Sequence, residues 1–84
     1  MSYACESDCL NALAFIGSYI DELGYPPSQV ELCRWMGYRG LRAGQYRLEH
    51  LESHGWITRT PGVARGLRMT EAGRFVLNTR EVFV

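Results

Sequence analysis

No lysine occurs in this chain: all nine basic side chains are arginines, and nine carboxylates balance them to a formal net charge of zero. A neutral total excludes a protein that is basic all over, the simplest nucleic-acid binder, but it does not exclude one basic face. The first 33 residues hold no base at all. Glu6, Asp8, Asp21, Glu22 and Glu31 give that segment a net charge of −5, while residues 34–84 set nine arginines against Glu49, Glu52, Glu71 and Glu81, a net charge of +5. Such segregation can give a neutral molecule one basic side. Arginine's planar fork suits phosphate and guanine better than lysine's point charge, although a GC-rich genome also produces the bias.

Cysteine is scarce and odd in number, so three residues cannot complete a disulfide framework. Cys33 fits instead as a small, reduced, buried thiol. Long apolar runs are missing: the longest, Ala12 to Gly17, is far short of a bilayer crossing. The first residues carry Glu6 and Asp8 rather than a basic patch ahead of an apolar stretch, so no signal peptide is expected. A cytoplasmic protein without membrane contact follows as the expectation. No Ser/His/Asp set, phosphate loop or pair of carboxylates stands out. No enzyme activity, no catalytic residue, no cofactor and no small-molecule effector are expected.

What remains is enough for one small core. A length of 84 residues permits a single domain, and 46% hydrophobic residues is ordinary for a folded protein. The most informative stretch runs from Ser28 to Gly55. Ser28 and Glu31 form an S-x-x-E capping box, which starts a helix by satisfying backbone N–H groups that the first turn leaves unpaired. Val30, Leu32, Cys33 and Met36 then point inward, and Gly37 ends the helix in the left-handed conformation a C-terminal cap needs. Tyr38 to Gly40 make a turn. From Leu41 a second helix resumes, with Leu41, Gly44, Leu48 and Leu51 near one face, and Gly55 closes it. Two short helices around a tight turn are a helix-turn-helix.

The flanks complete the architecture. Residues 1–6 read as a loose leader. Ser7 or Asp8 caps a first helix to about Leu23, with Cys9, Leu13, Ile16, Ile20 and Leu23 inward and Phe15 and Tyr19 on a second face that needs its own cover. Gly24 stops that helix, and Tyr25-Pro26-Pro27 forces an extended passage into the capping box. Beyond Gly55, Trp56 to Thr60 reads as a strand, Pro61 to Gly66 as a turn, and Leu67 to Thr70 as the returning strand. Thr70 caps a last helix over about Glu71 to Asn78, and Val82-Phe83-Val84 ends the chain. The expected fold is mainly α with a small β-hairpin, a winged helix-turn-helix in one domain: helix-turn-helix 28–55, wing 56–70, C-terminal helix and tail 71–84.

The run G-Y-P-P-S-Q-V-E-L-C-R-W-M-G-Y-R-G (Gly24 to Gly40) resembles the N-terminal DNA-binding domain of LexA repressors. The similarity continues through L-E-H-L-E-S-H-G-W-I and P-G-V-A-R-G-L-R, covering roughly Leu13 to Met69. The resemblance implies a winged helix-turn-helix whose third helix reads an operator in double-stranded DNA, with base-reading places at Gly40, Arg42, Ala43, Gln45 and Tyr46. LexA repressors are asparagine- and glutamate-rich at those places, so the LexA operator does not carry over. LexA self-cleavage uses a serine and a lysine, and a chain without lysine is not expected to perform it. Thr70 to Arg74 (T-E-A-G-R) looks like the helix that follows the wing in MarR-like regulators.

Arg39, Arg42, Gln45, Tyr46 and Arg47 cluster at the start of the third helix. That set suits DNA: arginine pairs with guanine, glutamine with adenine, and tyrosine reaches phosphate. A solvated helix face is the plain alternative. Gln45 and Arg42 are the expected base readers, and Arg47 is a phosphate contact or is turned aside. In the hairpin, Arg65 near the tip is the favoured phosphate or minor-groove contact, ahead of Arg68 and Arg59; a charged, protected edge strand is the alternative. Trp35 falls on the outside of the second helix, against an arginine stem or the DNA backbone, and Trp56 lies under the wing. Cys5-x3-Cys9 and His50-x3-His54 have zinc-ligand spacing, but histidine in a last helical turn also serves the helix dipole, and no metal is expected. The sequence therefore points to a transcriptional repressor that acts as a homodimer held by its apolar C-terminal segment. That segment either pairs across a two-fold axis or folds back on Phe15 and Tyr19. The rival is a winged helix that binds protein: one basic surface across Arg42, Arg47 and Arg65 marks DNA, an apolar patch on the third helix marks protein.

Overall fold

Four helices and a two-stranded hairpin follow the order α1 (Ser2–Leu23), α2 (Gln29–Met36), α3 (Leu41–Ser53), β1 (Ile57–Arg59), β2 (Leu67–Met69), α4 (Glu71–Val82). The computed structural model describes the backbone of residues 2–63 and 65–82, and side chains within 8–63 and 65–79. The strands pair antiparallel with Ile57 opposite Met69, Thr58 opposite Arg68 and Arg59 opposite Leu67. This is a winged helix-turn-helix, mainly α with a small hairpin.

The core lies where α1, α2, α3 and β1 meet. Cys9, Ala12, Leu13 and Ile16 of α1 are fully buried, with Leu32 of α2, Leu48 and Leu51 of α3, Ile57 of β1 and Leu67 of β2. Each fully buried aliphatic side chain of this size contributes roughly 1.5–3 kcal/mol. The helical spacing of Cys9, Leu13 and Ile16 is as the sequence predicts. Leu23 is not inward: it is half exposed at the last turn, where α1 has run past the core. α1 also begins at Ser2 rather than at Ser7 or Asp8, since no glycine or proline interrupts the residues before them. The two strands are three residues each, shorter than expected, and α4 extends beyond Asn78.

The α2 cap forms in full. Glu31 N–H donates to the Ser28 hydroxyl at 3.2 Å, and Ser28 N–H donates to the Glu31 carboxylate at 2.9 Å. Gly37 closes α2 with φ +76°. Val30, expected inward, is 44% exposed, because α2 is only eight residues long and buries a single stripe, Leu32 and Cys33. The closest approach of α2 and α3 is at Gly44, where an added Cβ would collide with the Cys33 Sγ. Cys33 Sγ also sits 3.6 Å from the Gly40 carbonyl as its donor, so the thiol fills the angle between the two helices. Gln29 Nε2 donates to the Leu41 carbonyl at 2.8 Å and ties the first turns of α2 and α3 together.

The aromatic residues on the second face of α1 find cover from α2 and the Pro-Pro passage. Phe15 stacks on Trp35 at 4.7 Å between ring centroids, and Tyr19 meets Tyr25 edge-on at 5.8 Å. α4 packs on the other side of α1, with Leu77 against Gly17 and the Arg74 guanidinium paired with Asp21 at 2.7 Å. Among the described residues, the C-terminal helix therefore does not fold back on Phe15 and Tyr19; Phe83 and Val84 lie outside the described residues. Thr70 caps α4 by accepting the Gly73 N–H at 3.0 Å.

The wing is tied to the body through Arg65. Its guanidinium donates to both Glu31 carboxylate oxygens at 2.9 Å and to the Pro26 carbonyl at 2.8 Å, and lies 4.9 Å over the Tyr25 ring. Tyr19 O–H donates to the same carboxylate at 2.8 Å. The Arg65 hydrogen bonds, then the Ser28 N–H and the Tyr19 hydroxyl, lower the Glu31 pKa to about 2.

Two outcomes follow from this packing. Gly44→Ala gains about 1 kcal/mol of helix propensity but overfills the α2–α3 contact, which typically costs about 1–3 kcal/mol. Urea unfolding is expected to show a net loss of stability, and Cys33→Ala/Gly44→Ala is expected to recover most of it by removing the sulfur. Because the folded-state pKa of Glu31 is depressed, its contribution to stability is present above the ordinary carboxylate range. It is lost as pH falls from about 4.5 towards about 2. The stability difference between wild type and Glu31→Gln, measured by denaturant titration, should shrink across that interval and stay level from pH 5 to 7.

Candidate nucleic-acid interface

Helix α3 divides cleanly into two faces. Gly44, Arg47, Leu48 and Leu51 face inward, at the i, i+3, i+4, i+7 spacing of a buried stripe. Leu41, Arg42, Ala43, Gln45, Tyr46 and Glu49 are exposed on the other side. Leu41, expected inward, is 53% exposed: as the first residue of α3 it lies beyond the point where α2 covers the helix. Gly40 precedes it as the N-cap in extended conformation and offers no side-chain cap. The first-turn N–H groups of α3 thus receive no bond from the N-cap side chain.

The five places given by the resemblance come together on this outer surface. Gly40, Arg42, Ala43, Gln45 and Tyr46 are all exposed. Gln45 Nε2 donates to the Glu49 carboxylate at 3.2 Å, which holds its amide along the helix and leaves its carbonyl oxygen and second N–H outward. The Tyr46 ring packs on His50 at 4.5 Å, with its own surface 54% exposed.

Arg47 does not belong to that surface. It is 8% exposed, with Nε donating to the Tyr38 hydroxyl at 3.2 Å, one terminal nitrogen 3.1 Å from the Cys9 Sγ, and the other 3.5 Å from Asp8. It falls one turn after Gly44 on the inward stripe, so its stem is buried and its head ties the turn to α1. Arg65, the favoured wing contact, also points inward, onto Glu31 of α2. Arg59 pairs with Glu52 at 3.1 Å and braces β1 against α3. Arg68, opposite Thr58 on the exposed side of the hairpin, is the wing arginine that faces solvent.

A division among the arginines results. Arg47, Arg59, Arg65 and Arg74 are neutralised by Asp8, Glu52, Glu31 and Asp21. Arg34, Arg39, Arg42 and Arg68 are exposed and make no ion pair among the described residues. Arg47 and Arg65 thus do not form with Arg42 the free basic surface expected, and among the described residues the unpaired exposed arginines are Arg34, Arg39, Arg42 and Arg68. Arg34 was missed by the sequence reading; its place three residues before the cap Gly37 gave no sign of function. Glu31 was read only as a cap, and nothing 34 residues upstream of Arg65 announces the pair.

Trp35 keeps 59% of its surface exposed while stacked on Phe15. Trp56 packs under the hairpin with His54 stacked on it at 4.4 Å. The two histidines of the zinc-like spacing thus lie against different rings, Tyr46 and Trp56. Cys9 is buried against Arg47, and the side chain of Cys5 lies outside the described residues. Among the described residues, no three metal-ligating side chains gather, and no helix is long and apolar enough to cross a membrane.

Comparison with known proteins agrees with this architecture. The family model described as the LexA DNA binding domain matches residues 10–66, from α1 through the wing loop to the residue before β2. The chain is 52% identical over 61 residues to LexA repressor 2 of Xanthomonas axonopodis pv. citri, covering 73% of this chain and 29% of that protein. It is 50% identical over 60 residues to the LexA repressor of Stenotrophomonas maltophilia, with 71% and 28% covered. It is 46% identical over 57 residues to that of Xylella fastidiosa, with 68% and 27% covered. The chain spans less than a third of the length of these relatives. α4 lies beyond the matched segment. With its capped α2, its outward-facing α3 and its hairpin wing, the chain belongs to the LexA DNA-binding domain family.

Proposed function

We infer that this chain is a sequence-specific, double-stranded-DNA-binding transcriptional regulator, a small repressor that blocks polymerase by occupying its operator. The observation that carries the reading is the two-faced α3 within a segment matched by the LexA DNA-binding domain: its inner stripe is fixed by the core, and its outer face presents Arg42, Ala43, Gln45 and Tyr46. A helix of this kind enters the major groove, where arginine reads guanine and glutamine reads adenine. Arg39, Arg34 and Arg68 supply the phosphate contacts in this reading, and Gly40 allows close approach of the turn. Glu49 fixes the Gln45 amide and can itself accept from cytosine. The exposed Leu41 and Tyr46 favour a second reading, in which α3 docks on a protein such as polymerase or another regulator.

A single winged helix reads a short site, and two-fold operators are matched by two-fold proteins with half-sites about 34 Å apart. Two copies joined through α4 and the chain end fit that need: Phe75 of α4 is 69% exposed, while Val76 and Leu77 pack inward on their own core.

Selection of bound duplexes from random DNA should return one preferred sequence. With three or four free arginines on phosphate, log affinity for it should fall against log salt with a slope of roughly −3 to −4. Arg42→Ala and Gln45→Ala should each relax preference at one base position, by about 1–3 kcal/mol. A flat salt response with no selected sequence would favour the protein-docking reading. Sedimentation at tens of micromolar should give a dimer for the full chain and a monomer for a version ending at Asn78; a full-length monomer removes the dimer.

A further inference from the structure

Arg65 lies at the wing, where an arginine would be expected to meet the DNA backbone, yet its guanidinium is held by the body of the protein. Both of its terminal nitrogens reach Glu31, one also reaches the Pro26 carbonyl, and its plane lies over Tyr25. On the other side, Glu31 Oε1 receives Arg65, the Tyr19 hydroxyl and the Ser28 N–H together. One carboxylate therefore joins α1, the α2 cap and the wing.

The hairpin's strands are held by Ile57 and Leu67 in the core and by Arg59 on Glu52, but the loop beyond them stands over a cleft. A cleft of about 290 Å³ separates Thr60, Pro61 and Val63 of the wing from Pro27, Gln29 and Leu32 of the body. The strands that anchor the hairpin are three residues long, and the loop's own backbone bonds (Thr60 N–H to Gly66 O at 3.0 Å, Gly66 N–H to Val63 O at 3.2 Å) are internal to it. A short hairpin over an open cleft is free to tilt unless a point beyond its strands is fixed. Arg65 is such a point.

We propose that Glu31 is a positioning residue for DNA binding: through the two-pronged grip on Arg65 it holds the wing at the angle from which Arg68 reaches the backbone, and Arg65 itself makes no phosphate contact. This rests on the DNA-binding reading above. A bidentate guanidinium–carboxylate pair fixes direction as well as distance, which a lysine in the same place cannot do. A phosphate that displaced Glu31 from Arg65 would break both hydrogen bonds and leave Glu31 as an uncompensated negative charge.

The test uses the full chain, the duplex recovered by selection and random duplex. Arg65→Lys keeps the charge and loses the fork. Glu31→Gln keeps an acceptor for Ser28 and Tyr19 and loses the charge. Arg65→Lys, Arg65→Ala and Glu31→Gln are each expected to bind about tenfold more weakly on both duplexes, Glu31→Gln despite its added net positive charge. The salt slope of Arg65→Ala is expected to match wild type. Amide exchange at Thr60 and Gly66, followed by NMR without DNA, is expected to quicken in all three variants. The proposal is overturned if Arg65→Lys binds like wild type while Arg65→Ala lowers the slope by about one, the mark of a lost phosphate contact. Tighter binding by Glu31→Gln, or unchanged wing exchange, overturns it equally. These results leave the DNA-binding reading intact; a wild-type chain that selects no duplex overturns both.

Discussion

Helices α2 and α3 cross at a point where a sulfur on one meets a hydrogen on the other, and the rest of the site inherits its geometry from that contact. Gly44 gives the Cys33 Sγ its room. Cys33 in turn reaches the Gly40 carbonyl, and Gln29 holds the Leu41 carbonyl, so the turn is fixed on both sides of α3's first residue. With the crossing set there, Leu48 and Leu51 meet Leu13 and Ile16, and the opposite face of α3 is presented to solvent. A larger side chain at residue 44 would lift α3 away from α2, and every outward residue would move with it.

The second organising feature is the internal use of charge. The acidic first third and the arginine-rich remainder come together in three ion pairs, Asp8 with Arg47, Asp21 with Arg74 and Glu31 with Arg65, and a fourth, Glu52 with Arg59, braces β1 against α3. Exposed pairs of this kind contribute little stability singly. Their larger effect is to decide which arginines remain outward. These pairs take up four of the nine carboxylates; among the described residues Arg34, Arg39, Arg42 and Arg68 stay exposed without an ion pair, as do Glu22, Glu49 and Glu71. A salt response set by so few cations would make affinity depend more on base contacts than it does in strongly basic proteins.

The aromatic residues follow the same economy of contacts. Phe15, Tyr19, Tyr25 and Trp35 cover the side of α1 that the aliphatic core leaves open, and Tyr19 and Tyr25 also frame the Glu31–Arg65 pair. α4 occupies the other side of α1, so its apolar residues divide between the molecule's own core and the surface. Val76 and Leu77 go inward, and Phe75 faces out.

The sequence by itself determined the elements and their order, because their signals are local. The S-x-x-E box, the left-handed glycine at 37, the Pro-Pro passage and the β-rich segments around residues 61–66 each act within a few residues; the cap and the glycine formed where the pattern placed them, and the strands formed within the predicted segments but shorter. It also determined most of the core, since helical periodicity marks Cys9, Leu13, Ile16, Leu48 and Leu51 without reference to partners. Only the tertiary structure decided which polar residues are available to bind. The sequence leaves Arg47 between a phosphate contact and a place turned aside; packing decides for the second, because Arg47 lies on the stripe that α1 covers and Arg42 does not. Arg65 is engaged by Glu31, 34 residues away. Leu23 and Leu41 were left outside because they stand at helix ends beyond the core, and Val30 because α2 buries a single stripe. Whether an arginine faces a ligand or a carboxylate depends on what packs opposite it, and no local pattern carries that information.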